Sequence, residues 1–154
     1  MEYKVVRSTD DNFETICMHC EMNIVPENLA SNGGTLQFQF LTYQSDCIIY
    51  AQEASSILGF NALVIDSNMG FYVNQIAVKK DCQRKGIGTT LISMGKDMAD
   101  KLSLPVYAHV RDYNIGSKKT FEKCGFEKDD TYRTENSLFY AYHQKAIGEK
   151  VSEK

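Results

Sequence analysis

The sequence predicts one mixed α/β domain: an antiparallel meander, a parallel step through a crossover helix, then two closing strands. Three observations predict it. Three strand-like runs within residues 47–78 are separated by short turns at hairpin spacing. The run 71–78, a helical pattern over 91–102 and the run 106–110 form a strand–helix–strand step, which implies parallel pairing and a right-handed connection. Two further aromatic or β-branched runs, 132–134 and 138–142, follow a short helix and complete the sheet.

In chain order, 3–7 alternates polar and apolar residues and reads as a first strand. Ser8-Thr9-Asp10-Asp11 supplies helix N-cap candidates, with Phe13, Ile16, Cys17 and Cys20 following at helical spacing. Pro26 ends that region, and a second helix is expected to start near Thr35, after Asn32-Gly33-Gly34. Strands at 47–51 and 57–65 flank a turn at 53–56, and Asp66-Ser67-Asn68 turns into the strand 71–78. The helix after Gly88 lines up Leu91, Ile92, in part Met94, Met98 and Leu102, with Lys96, Asp97, Asp100 and Lys101 towards water. Pro105 opens the strand 106–110, and 114–126 reads as a short helix stopped by Gly125. The domain is expected to occupy 1–146, with 147–154 a charged, frayed tail.

A chain of 154 residues suits one domain burying about two-thirds of its unfolded surface. The formal charge of −3 is small, and basic residues cluster in one loop rather than along a face, which argues against a nucleic-acid partner. No apolar run is long enough to span a bilayer, and the first residues are no signal peptide, so the expected location is cytoplasmic. An odd number of cysteines, five, without a secretory signal implies reduced thiols. Cys17-Met18-His19-Cys20 has metal or redox spacing, but it lies inside a helical pattern and lacks a second ligand pair. Two buried thiols are the expected reading, with no metal.

The chain is organised around Gln83-Arg84-Lys85-Gly86-Ile87-Gly88-Thr89-Thr90, a basic, glycine-containing loop between a strand and a helix. The first turn of a helix offers backbone N–H groups with no intrahelical partner, and the macrodipole puts partial positive charge there. Gly86 and Gly88 remove Cβ atoms that would keep an anion away, and either can adopt φ > 0. Arg84 and Lys85, with Lys79 and Lys80 upstream, add mobile positive charge. A dinucleotide fingerprint would need Gly or Ala where Leu91 stands, and no Gly-Lys-Ser/Thr run closes an ATP-type loop.

What remains, Gln-x-x-Gly-x-Gly between a strand and a helix, resembles the acetyl-CoA pyrophosphate loop of the GNAT superfamily of N-acetyltransferases. Asn114-x-x-Ser117-x-x-x-Phe121-Glu122-Lys123-Cys124-Gly125-Phe126 is similar to the family's downstream motif. Together the motifs cover residues 47–142 well and the first 46 loosely. The resemblance implies the acyl-CoA N-acyltransferase fold, a mostly antiparallel sheet flanked by helices with a central parallel, V-shaped splay between the strand ending at Val78 and the strand 106–110. The pantetheine arm of CoA would pair there with the backbone of Ile76, Ala77 and Val78. The pyrophosphate would sit on the amides of Arg84, Lys85, Gly86, Ile87, Gly88 and Thr89, following Gln83. Asn114 would bond the pantetheine side, and Phe121 would line the acyl end.

The implied reaction is direct transfer of acetyl from acetyl-CoA to a primary amine of a small molecule or peptide, without an acyl-enzyme. The amine must attack neutral, and a Lys-type amine titrates near ~10.4. The Val78 N–H is the implied donor to the oxyanion. Many members carry Tyr where this chain has Phe121, which has no O–H to protonate the departing thiolate; Tyr113 is the candidate in its place. The strand before the loop offers Tyr72, Asn74 and Gln75 but no carboxylate, leaving Glu53, His109 or a water chain as base. A non-catalytic acyl-CoA-binding module and an enzyme for longer acyl groups are the rivals. Aromatic-rich 138–142 is read either as a homodimer surface or as a half-buried sheet face.

Overall fold

The alternation in residues 47–78 builds the meander that its turn spacing predicts. A computed structural model describes residues 1–24, 41–112, 114–132, 134 and 137–143. Strands β1 (Glu2–Arg7), β2 (Cys47–Glu53), β3 (Ser56–Asp66) and β4 (Gly70–Val78) pair antiparallel in sequence order. Helix α1 (Phe13–Asn23) lies between β1 and β2, and a 3-10 turn, Leu41–Gln44, leads into β2. After β4 come a 3-10 turn (Lys80–Cys82), α2 (Ile87–Lys101) and β5 (Val106–Arg111), which runs parallel to β4. Helix α3 (Ile115–Lys123), β6 (Glu127–Lys128), a 3-10 turn (Asp130–Tyr132) and β7 (Ser137–Tyr142) complete the described chain. The sheet order is β1-β2-β3-β4-β5-β7-β6, and β4–β5 is its parallel pair.

Each face of the sheet buries its own apolar set. On one face Ile49, Leu63, Phe71, Val73, Val106, Ala108 and Tyr140 pack under Leu91, Ile92 and Ala99 of α2 and Phe121 of α3. On the other, Phe13, Cys17 and Cys20 of α1 cover Val6, Ile48, Tyr50, Phe60 and Ala62. Cys17 and Cys20 are both fully buried, as the reading of two core thiols expects. Burial pushes the Cys17 thiol up to about 11 and raises that of Cys20 as well. No group of three or more His, Cys, Asp or Glu among the described residues could hold a metal ion.

Four local features depart from the sequence reading. Helix α2 starts at Ile87, not at Leu91: Thr90 N–H donates to Gly86 O, so Gly88 lies inside the first turn. Asn12, without a side-chain bond, is the N-cap of α1, while the Asp10 carboxylate accepts from Arg7 N–H one turn earlier. Among the described residues the strand before β7 is the two-residue β6, and Tyr132, expected in a strand, belongs to a 3-10 turn. Leu102, expected on the core side of α2, is exposed beyond its end, while Lys96 turns inward to donate to Cys124 O and cover the Tyr142 ring. The helix expected near Thr35 and the tail 147–154 lie outside the described residues.

Leu138 and Tyr140 are buried within the sheet's own core, so β7 is an interior strand between β5 and β6. No helix among the described residues is long and apolar enough to cross a membrane.

Candidate active site

The two motifs, remote in sequence, meet at the end of β4. A Cβ on Gly88 would lie 3.6 Å from Val78 Cγ2 and 3.8 Å from Thr120 Cγ2 of α3. The loop is held in place by three neighbours. Gln83 Nε2 donates to Val78 O at 3.1 Å. Ile87 is buried and turns its side chain down onto Gly59 of β3, where a Cβ would stand 3.2 Å from Ile87 Cγ2. Beneath the next turn, the buried Asn61 side chain donates to Leu91 O at 3.1 Å.

The loop backbone alternates in the sign of φ. Arg84 and Gly86 both have positive φ, 65° and 85°, with Lys85 between them outside that region. Alternation of this kind turns successive N–H groups towards one point. Gly86 is therefore needed for its conformation and not for room, since nothing lies within 4 Å of its Cβ position. Of the two glycines, Gly86 uses its freedom for positive φ; Gly88 is helical, and a Cβ there would meet only ordinary contacts. The side chains of Gln83, Arg84 and Lys85 are exposed, while Thr89 is half-buried.

The splay between β4 and β5 is also visible in the pairing. The two strands pair only at Phe71↔Val106, Tyr72↔Tyr107 and Val73↔Ala108. At that point the β3–β4 register slips: Ala62 opposes Gln75 and Leu63 opposes Val73, leaving Asn74 as an extra residue. A bulge bends its strand and inverts the alternation beyond it. Ile76 and Val78 consequently pack on the α2 face, and Ala77 packs on the α1 face. From Asn74 onward the β4–β5 pairing has ended, and the gap opens between Ile76, Ala77 and Val78 on one side and the end of β5 on the other.

Asn114 caps α3, its Oδ1 accepting from Ser117 N–H at 3.0 Å. Phe121 is buried, edge-on to Phe126 and stacked near Tyr140. The Tyr140 hydroxyl is committed to Glu122 Oε2 at 2.9 Å, and burial, with that carboxylate beside it, pushes the phenol up to about 12. Tyr113 lies outside the described residues. Glu53 is exposed at the end of β2, beside the N-terminal ammonium.

Sequence reasoning did not pair Tyr72 with His109. Tyr72 Oη lies 3.2 Å from His109 Nδ1 across the β4–β5 boundary, with the rings edge-on. The signal was available only as a register: parallel pairing that sets Tyr72 opposite Tyr107 puts His109 one pleat further along the same face.

A glycine loop opens α2, beside a bulged strand that ends its pairing with its parallel neighbour and a capped helix near Gly88. The family model for the acetyltransferase (GNAT) family matches residues 14–126. The chain belongs to the GNAT acetyltransferase family. No curated protein matches the sequence.

Similar solved structures agree with the fold. The E. coli ribosomal-protein-S18-alanine N-acetyltransferase is 18% identical, with a TM-score of 0.64 over 96% of this chain and 97% of that one. A Bacillus subtilis acetyltransferase solved with CoA is 14% identical, with a TM-score of 0.63 over 94% and 99%. A candidate streptothricin acetyltransferase from Bacillus anthracis, solved with acetyl-CoA, is 24% identical with a TM-score of 0.57. The match covers 64% of this chain and spans 63% of the B. anthracis protein.

Proposed function

We propose that this GNAT protein transfers the acetyl group of acetyl-CoA to a primary amine of a small molecule or peptide, by direct attack in a ternary complex. The observation that carries the reading is the conjunction at Gly88, where the phosphate loop, the end of β4 and α3 converge beside an open splay. The donor is acetyl-CoA, the substrate that names the family's reaction and that accompanies the B. anthracis neighbour. Its pyrophosphate is assigned to the amides from Arg84 to Thr89, with Arg84 and Lys85 supplying mobile charge. Its pantetheine is assigned to the β4 edge at Ile76, Ala77 and Val78, with Asn114 on the opposite side.

The protein's own part in the chemistry is placement and charge. The Val78 N–H is assigned to the negative charge that gathers on the acetyl oxygen. Phe121 closes the acyl end as packing and donates no proton. Tyr113 is the candidate donor to the departing sulfur, and a thiol's modest basicity lets that group leave with little help. The reading places the enzyme in the cytoplasm.

Thiol release from acetyl-CoA, measured across ethanolamine, lysine, spermidine, an aminoglycoside and peptides with free N-terminal alanine, tests transfer. Amine-dependent release is expected for at least one of them. Tight acetyl-CoA binding with no release across the panel favours a non-catalytic binding module. That rival draws on the phenylalanine at position 121 and the missing strand carboxylate.

A further inference from the structure

We propose that Tyr72 and His109 form the proton relay that takes the acceptor amine's proton, a role resting on the acetyltransferase reading above. The pair occupies the closed end of the splay. Tyr72 belongs to the paired stretch of β4, and His109 is the first β5 residue beyond it. Both side chains lie on the sheet face opposite α2 and α3. The alternation puts Phe71, Val73, Val106, Ala108 and Val110 into the α2-side core and leaves Tyr72, Tyr107, His109 and Phe139 on the other side. The phosphate loop opens α2, so the donor approaches from the α2 side and the acceptor is left the face that carries this pair. Helix α1 packs on β1 and β3 and covers the other half of that face.

The pair is held and connected to water. The His109 ring lies 4.9 Å from the Phe139 ring, its cross-strand neighbour, which in turn stacks on Tyr107 at 5.5 Å. His109 is exposed, whereas Tyr72 is half-buried. Burial pushes the Tyr72 phenol up, so at neutral pH it retains its proton and cannot act as a resident phenolate. It acts by exchange.

With His109 as the Nε2–H tautomer, Nδ1 accepts from the Tyr72 hydroxyl. The acceptor enters as its ammonium and gives one proton to Tyr72 Oη as Tyr72 passes its own to His109 Nδ1, and the imidazolium releases a proton to water. The neutral nitrogen then bonds to the acetyl carbon as the carbon–sulfur bond breaks, the electron pair leaving with sulfur, which ends as the thiol with the nitrogen's surplus proton. Among the described residues, the titratable or charged groups on this face include Tyr107 and Arg111 of β5, Glu127 of β6, Tyr132 of the 3-10 turn, His143 after β7 and, under α1, Tyr50 of β2. From β3, Val64 lies opposite Tyr72. Asp66 turns its carboxylate into the hairpin, on the amides of Asn68 and Met69.

The test combines Tyr72→Phe and His109→Asn with the fastest acceptor of the amine panel, acetyl-CoA calorimetry and imidazole nitrogen NMR. Each variant is expected to bind acetyl-CoA like wild type and to lose about 10²-fold in kcat, the lower end of general acid–base effects. In His109→Asn the rise of kcat/KM with pH should move up to the acceptor amine's own range, near ~10.4 for a Lys-type amine. Rates should recover towards wild type at alkaline pH, where bulk solvent deprotonates the amine; a merely structural role would not restore them. The Nε2–H signature of His109 should weaken in Tyr72→Phe without any substrate present. Wild-type kcat and pH profile in Tyr72→Phe, or an unmoved His109 tautomer, would overturn the relay and leave the acetyltransferase reading standing. Failure of wild type to bind acetyl-CoA, or to acetylate any amine, would sink both. Should His109→Asn fail to fold, Tyr72→Phe decides alone.

Discussion

Gln83 Nε2 donates to the carbonyl oxygen of Val78 at 3.1 Å, so the first residue of the phosphate loop is tied to the last residue of the strand it follows. The bond spans the 3-10 turn Lys80–Cys82 and sets where the loop amides face. Because Gln83 is exposed, Gln83→Ala is expected to cost less than ~1 kcal/mol of stability. Acetyl-CoA affinity should nonetheless fall several-fold, as the loop loses its anchor. Thermal melts beside calorimetry separate the two effects, and equal losses in both would refute the anchoring role.

Gly70 has φ of 130°, and a Cβ there would stand 2.7 Å from Pro105 O. That carbonyl accepts from Phe71 N–H at 2.9 Å at the start of the parallel pair. Backbone strain and overlap with a main-chain atom both oppose any side chain. Gly70→Ala should lose on the order of 3 kcal/mol in urea unfolding.

Glu21 of α1 is fully buried, and its Oε1 accepts both Thr42 N–H at 2.9 Å and Thr42 Oγ1–H at 2.7 Å. These bonds fasten α1 to the 3-10 turn preceding β2. Glu21→Ala strands two buried donors and leaves a void, and should cost about 3 kcal/mol. Glu21→Gln retains the acceptor oxygen and should cost clearly less. Paired urea titrations measure the difference.

The thiols should sort by burial. Cys17, Cys20, Cys47 and Cys124 are buried, while Cys82 is half-exposed. Burial pushes Cys17 and Cys47 up to about 11 and raises Cys20 and Cys124 too. Iodoacetamide at pH 8 should label Cys82 first, with the other four following only on unfolding, as counted by intact mass. These raised thiols give a definite sign to alkaline stability. Their contribution is complete below the unfolded value of ~8.5, where both states are protonated. It is lost as pH climbs from there towards about 11, because the unfolded chain ionises first.

Strongly patterned elements were legible in the sequence. The meander and the strand–helix–strand step follow from alternation and turn spacing, and both site motifs follow from residue types at fixed offsets. What escaped had no local pattern. The bulge at Asn74 shows only against the β3 register. Ile87-Gly88-Thr89-Thr90 combines β-branched residues with glycine and reads as loop, although it forms the first turn of α2. β6 has two residues and cannot display an alternation, whereas Tyr132, read as strand, belongs to a 3-10 turn. The Tyr72–His109 pair depends on parallel register across a helix. Phe121 was legible as a departure from the motif, and its burial gives the reason for its apolarity.

The central claim is an acetyl-CoA cradle whose shape depends on Gly86. The most direct measurement is calorimetric titration of wild type and Gly86→Val with acetyl-CoA at fixed salt, beside CoA lacking its 3′-phosphate, ATP and NAD. Valine at φ of 85° costs about 1–2 kcal/mol of local strain and breaks the alternation that turns the amides together. Saturable binding that favours acetyl-CoA over ATP and NAD in wild type, weakened at least tenfold in Gly86→Val while the fold is retained, is the predicted result. No acetyl-CoA binding by wild type, or equally weak binding of all four ligands, would contradict the account.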